Sequence, residues 1–176
     1  MSTGTLARIT RDDTVRTFGA RMHFARHARE MTQPTLAKAA GLTAGQISTL
    51  ERGRHEPKAY TLHSLAQGLS TTVAWLAEPR EVSDDEQVPW RVGDPRPVDR
   101  EALNRALAER LCEARARAGL SVFELSLASG LWTARINEYE GARNGSPHLR
   151  AVHRLAAALG VTSGWLLAGW EREPWG

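Results

Sequence analysis

The chain has 176 residues, 41% hydrophobic and 24% charged, the proportions of a soluble globular protein with one ordinary domain or two small ones. It holds no run of 18 apolar residues, and its opening MSTGTLARITRDD puts Arg and Asp where a signal peptide needs an apolar stretch, so neither a membrane span nor secretion is expected, and a cytoplasmic location is. The single cysteine, Cys112, excludes an internal disulfide and a Cys-rich zinc site, while 23 basic against 20 acidic residues give a net charge of +3, which admits an anionic partner without naming one.

In chain order, residues 1–17 read as an N-terminal arm. From 18 to 79 the apolar spacing predicts five short helices. Phe18, Met22 and Ala25 share one face at i, i+4 and i+7. Thr32 is placed to cap a second helix that carries Leu36 and Ala37 and ends at Gly41, where a left-handed backbone is cheap. Thr43 caps a third helix with Ile47 and Leu50, closed by Gly53. Pro57 marks a loop; Leu62, Leu65, Ala66 and Leu69 give a fourth helix, and Trp75 with Leu76 a short fifth. Residues 80–106 read as a Pro-rich, ordered or semi-rigid linker with Pro89, Pro95 and Pro97 and no sustained periodicity.

Residues 107–171 then repeat 18–79. At an offset of 89, Arg21, Arg26, Leu36, Gly41, Ile47 and Glu51 fall on Arg110, Arg115, Leu125, Gly130, Ile136 and Glu140. One inserted residue moves the offset to 90, and Pro57, His63, Leu69 and Trp75 meet Pro147, His153, Leu159 and Trp165. Residues 172–176 form a tail. The expected fold is all-α: two tandem five-helix domains joined by the linker. Charge is uneven, at plus three for 18–79, minus two for 80–106 and plus one for 107–171.

The stretch from Gln33 to Arg54 is a helix, a turn of three to four residues centred on Gly41, and a second helix. With Gln33, Ala37, Gly41, Ile47, Glu51 and Gly53 at their spacing, and Arg26 seven residues before Gln33, it resembles the Cro and lambda-repressor type helix-turn-helix family, also called the XRE family. The resemblance covers about 125 residues and both copies. It implies two lambda-repressor-like domains, and that the third helix enters the DNA major groove while the start of helix 2 and the loop after helix 3 hold phosphates. It also implies structural salt bridges Arg26 to Glu51 and Arg115 to Glu140, which orient the third helix rather than touch bases.

Against that frame the residues can be assigned. Ile47 and Leu50 face inward, which leaves Ala44, Gly45, Gln46, Ser48 and Thr49 toward the groove, with Thr43 at the cap. Gln46 offers an amide to an adenine edge, Thr49 a hydroxyl or methyl, and Ala44 a methyl for thymine. Gln33 stands at a helix N-terminus, where an anion is favoured. Arg52, Arg54 and Lys58 are expected to clamp phosphates. The arginines at 8, 11 and 16 would let the arm track DNA, and an unordered arm fits the sequence as well.

Copy two departs where contact would matter: Val122 stands for Gln33, Trp132 for Thr43, Glu138 for Thr49, and Gly141 for Arg52. Thr133, Arg135, Asn137 and Arg143 remain as a second set of DNA-contact candidates; otherwise this copy serves for pairing or as a spacer. Duplication would let one chain imitate a two-fold dimer. His23 and His27 lack a third metal ligand, and neither a metal nor another cofactor is expected. Trp75 and Trp165 read as core, whereas Trp90, Trp170 and Trp175 are free to dock the linker and tail or to form a dimer surface.

The leading functional expectation is a sequence-specific transcription regulator of repressor type, bacterial or phage in origin, with double-stranded DNA as partner. A homodimer through the second domain or the Trp-rich tail is the further partner expected. The alternative is an antitoxin or phage accessory protein whose second domain or tail holds a protein. No Gly-rich phosphate loop, Ser-His-Asp set or HExxH is present, so neither an enzyme nor a small-molecule ligand is expected.

Overall fold

A computed structural model describes residues 10–83, 85–91, 98–143 and 145–169. Among these the chain is all-helical. The first half holds α1 (Arg11–Ala28), α2 (Gln33–Ala40), α3 (Ala44–Glu51), α4 (Ala59–Leu69) and α5 (Val73–Leu76). The second holds α6 (Arg100–Arg117), α7 (Val122–Ser129), α8 (Thr133–Glu140), α9 (Leu149–Leu159) and α10 (Ser163–Ala168). Through the first four members the helix lengths of the two halves agree, at 18, 8, 8 and 11 residues.

Both long helices begin seven residues before the first apolar position of their stripe, at Arg11 rather than 18 and at Arg100 rather than 107. The cause is local. Thr10 and Asp99 accept bonds from the N–H groups of Asp13 and of Glu101 and Ala102, and acidic side chains occupy both first turns, where the helix dipole favours them. Thr14 and Thr17 are buried, and their hydroxyls donate back to the carbonyls of Thr10 and Asp13 at 3.0 and 2.9 Å, so polar residues take core positions that an apolar count misses. Arg16 therefore belongs to α1 and pairs with Glu81 instead of lying in a free arm. Arg8, Trp170 and Trp175 lie outside the described residues.

The linker is attached rather than free. Glu86 accepts from Arg80 at 2.7 Å, from the Trp75 indole at 2.8 Å and from Arg21 at 3.2 Å. Arg21 is fully buried, with its guanidinium 4.8 Å from the centre of the Trp75 ring. Bonds led by the one from Arg80 hold the Glu86 carboxyl at about 2. Further along, the Arg91 N–H donates to Ser70, Val88 is buried, and Arg29 sits over Trp90.

The two halves meet through reciprocal contacts. The Ala59 N–H donates to the Pro147 carbonyl at 2.8 Å, and the Leu149 N–H donates to the Pro57 carbonyl at 3.0 Å. All four residues correspond at the offset of 90, so the two bonds are related by a local two-fold. His153 bonds the Ala77 carbonyl at 2.8 Å, whereas its counterpart His63 stands at the equivalent place with its Nε2 enclosed and without a hydrogen-bond partner among the described residues. α5 packs against α10 on the same axis, and one buried core runs through both halves.

Burial pushes His63 down to about 4 and lowers His153 as well. Both are neutral in the folded chain, and near pH 6.5 the unfolded chain takes up their protons first. Their contribution is complete above that pH and is lost as the pH falls toward 4, for His63 by roughly 3 kcal/mol. Urea unfolding at about pH 7.5 and about pH 4.5 should show that loss of stability; equal free energies would contradict the neutral, buried pair.

Candidate nucleic-acid interface

The geometry of α2 and α3 follows from their ends. Thr32 caps α2, which has Pro34 in its first turn, and Gly41 closes it at φ 65°. Thr43 and Gln46 then form a reciprocal capping box: the Thr43 hydroxyl accepts from the Gln46 backbone N–H, and the Gln46 side-chain oxygen Oε1 accepts from the Thr43 N–H at 2.9 Å. Ile47 and Leu50 are buried. α1 crosses α3 so closely that a Cβ at Gly19 would stand 2.6 Å from the Glu51 carbonyl oxygen. Only glycine fits this crossing; the corresponding position between α6 and α8 is filled by Ala108.

The crossing is fixed by charge. Arg26 donates to Glu51 through Nε at 2.5 Å and Nη2 at 3.1 Å, and through Nη1 to the Met31 carbonyl at 2.7 Å. The Gln33 amide adds a third bond to Glu51 at 2.8 Å. Burial works to raise the Glu51 pKa, and the bonds from Arg26 and Gln33 outweigh it, so the net shift is downward. Arg115 and Glu140 repeat the fork at 2.6 and 2.9 Å, and Arg115 also reaches the Leu120 carbonyl. Val122 supplies no amide there. The first pair is the more enclosed, its side chains 9% and 7% exposed against 23% and 11%.

Around this fixed point α3 presents Gly45 and Gln46 fully to solvent and Ala44, Ser48 and Thr49 in part. Gln46 has its oxygen committed to the cap, which leaves the NH2 to reach outward. The Thr49 hydroxyl donates back to the carbonyls of Gly45 and Gln46, both at 2.9 Å, and keeps its lone pairs and methyl. Gln33 is half-buried and turned toward Glu51, a positioning task the sequence reading did not give it. Arg52, Arg54 and Lys58 are exposed, and none forms an ion pair among the described residues.

The second half differs on the same face. Arg135 donates to Glu138 at 2.7 Å, which neutralises the cation expected to meet DNA. Thr133 is half-buried, Asn137 and Arg143 are exposed, and Trp132 begins α8 with no side-chain cap. His23 and His27 stack at 4.1 Å, and no group of three metal-ligating side chains occurs among the described residues. Cys112 is half-buried, and burial raises its thiol pKa.

Residues 17–78 match the family model of a helix-turn-helix domain. The matched segment runs from within α1 to just past α5 and contains every side chain of the α3 face. A crystal structure of an HTH_3 family transcriptional regulator from Vibrio cholerae is similar over 40% of this chain and 40% of that one, with 21% identity and a TM-score of 0.38. No curated protein matches. No described helix is long and apolar enough to cross a membrane.

Removing one member of an enclosed ion pair leaves the other charge without its partner. Glu51→Ala should therefore cost about 3 kcal/mol, and Glu140→Ala clearly less because its pair is more open to water. Paired urea titrations decide it; a Glu51→Ala loss within about 0.5 kcal/mol would remove the network from its positioning role.

Proposed function

We propose that the chain is a sequence-specific DNA-binding transcription regulator of repressor type, bacterial or phage in kind, which acts on double-stranded DNA in the cytoplasm with α3 in the major groove. The observation that carries the reading is the helix-turn-helix match over 17–78 together with what its α3 displays: small and uncharged hydrogen-bonding groups, followed within seven residues by three exposed cations that form no ion pair among the described residues. Uncharged groups that can pair with base edges specify sequence, and cations beyond them hold phosphates. The Gln46 NH2 and the Thr49 methyl and lone pairs are the base-reading groups, with Ala44, Gly45 and Ser48 small enough for close approach. Arg52, Arg54 and Lys58 hold the backbone.

The second half reads as a divergent helix-turn-helix unit that has given up base reading. From 122 to 140 it carries three acidic residues and one basic, whereas 33 to 51 carries one of each. Its contribution is to pair with the first half about the local two-fold.

Selection from random duplexes supplies a site for titration. Gln46→Ala should flatten the ratio between that site and its base-substituted variants. Arg54→Ala should weaken all sequences alike and lower the log-log salt slope by about one. Equal losses with unchanged preference in both variants would overturn the division of roles.

A further inference from the structure

Three of the four large apolar side chains that stand exposed among the described residues lie close together in the second half. Phe123 is 63% exposed, Leu127 69% and Trp132 85%. Phe123 and Leu127 are four apart and share one face of α7, and Trp132 follows across the short turn to α8. At the offset of 89 these positions correspond to Pro34, Lys38 and Thr43, so the first half has a cation and a hydroxyl where the second has a leucine and a tryptophan. Ala128 and Ala134 are exposed beside them and small enough to permit close approach.

We infer that this patch is the interface through which a second copy of the chain docks. Its surroundings leave little else. Glu124 and Arg154, whose guanidinium lies beside Gly130, bring one charge of each sign to its edge, and Arg135 is paired with Glu138, so the surface carries no net charge to attract nucleic acid or a strongly charged protein. A surface with an apolar centre and internally neutralised charges meets its own copy without like-charge repulsion, as a symmetric pair requires. The three side chains expose about 450 Å² per chain, about 900 Å² across a pair, which the flanking alanines and the stems of Glu124 and Arg135 bring to the low end of specific interfaces. The patch belongs to the second half and includes no residue of α3, so docking makes no use of the α3 readers. The inference rests on the reading above in one respect: with α8 unable to read bases, one chain supplies one recognition helix, and a second copy supplies the helix for a second half-site.

Sedimentation equilibrium of the full chain without DNA tests the pairing independently of DNA recognition. The wild type should move from monomer to dimer across the micromolar range. Leu127→Lys with Trp132→Thr, which installs the residues of the first half, should remain monomeric with an unchanged helical circular dichroism spectrum. Trp90→Ala, at the exposed tryptophan outside the patch, should dimerise like the wild type. A wild type that stays monomeric at about 100 µM overturns the proposal, since that range covers weak pairs of this size. So does a doubly substituted chain that keeps its fold and dimerises as before, or an equal loss of dimer in Trp90→Ala.

Discussion

The carboxylate of Glu51 is the point at which three helices are held in register. It ends α3, receives the guanidinium of α1 through two bonds and the amide at the start of α2 through a third. A carboxylate satisfied by three bonds from two side chains can stay ionised away from water, and each donor that it holds loses its freedom to turn. The angle at which α3 stands out from the bundle follows from that arrangement and from the glycine that lets α1 touch its last carbonyls. The free edge of α3, and so the set of groups it exposes, is decided by side chains that bond to one another beneath it.

The second half shows what the same scaffold does when the outward residues change. Its fork between Arg115 and Glu140 is intact, so α8 is tied to α6 as α3 is to α1, but the exposed positions carry an internal ion pair and large apolar groups. The residues that fix the helices and the residues exposed on them are different, so the outward face can change while the contacts that hold the scaffold persist. Departures from symmetry elsewhere follow the same division. Glu56 reaches across to accept the Arg150 N–H at the start of α9, while its counterpart Ser146 turns inward to Asn104.

Much of this was legible in the residues. The caps at Thr32 and Thr43, the left-handed turn at Gly41 and the inward face of Ile47 and Leu50 are local and follow from spacing alone. The two salt bridges came with the resemblance and with the recurrence of one separation in both copies. What escaped was of two kinds. The helix starts at Arg11 and Arg100 hid because buried threonines and an asparagine there satisfy themselves by hydrogen bonds instead of being apolar. The inward turn of Gln33 and the binding of the linker by Glu86 are contacts between distant parts of the chain, with no periodic trace. The capping box of Gln46 does have a signature, a threonine three residues before a glutamine, and it engages only the oxygen of the amide.

The bridge at Pro57 and Pro147 bears on how the molecule comes apart. Each proline carbonyl is the acceptor for an N–H at the start of the opposite half's fourth helix, and His153 adds a bond to the Ala77 carbonyl across the same seam. If either half opened, the other would be left with an unpaired backbone donor and a bare apolar helix face, both unfavourable away from their partners. The two repeats, separable on paper, are therefore expected to act as one cooperative unit and to melt in a single transition rather than in two.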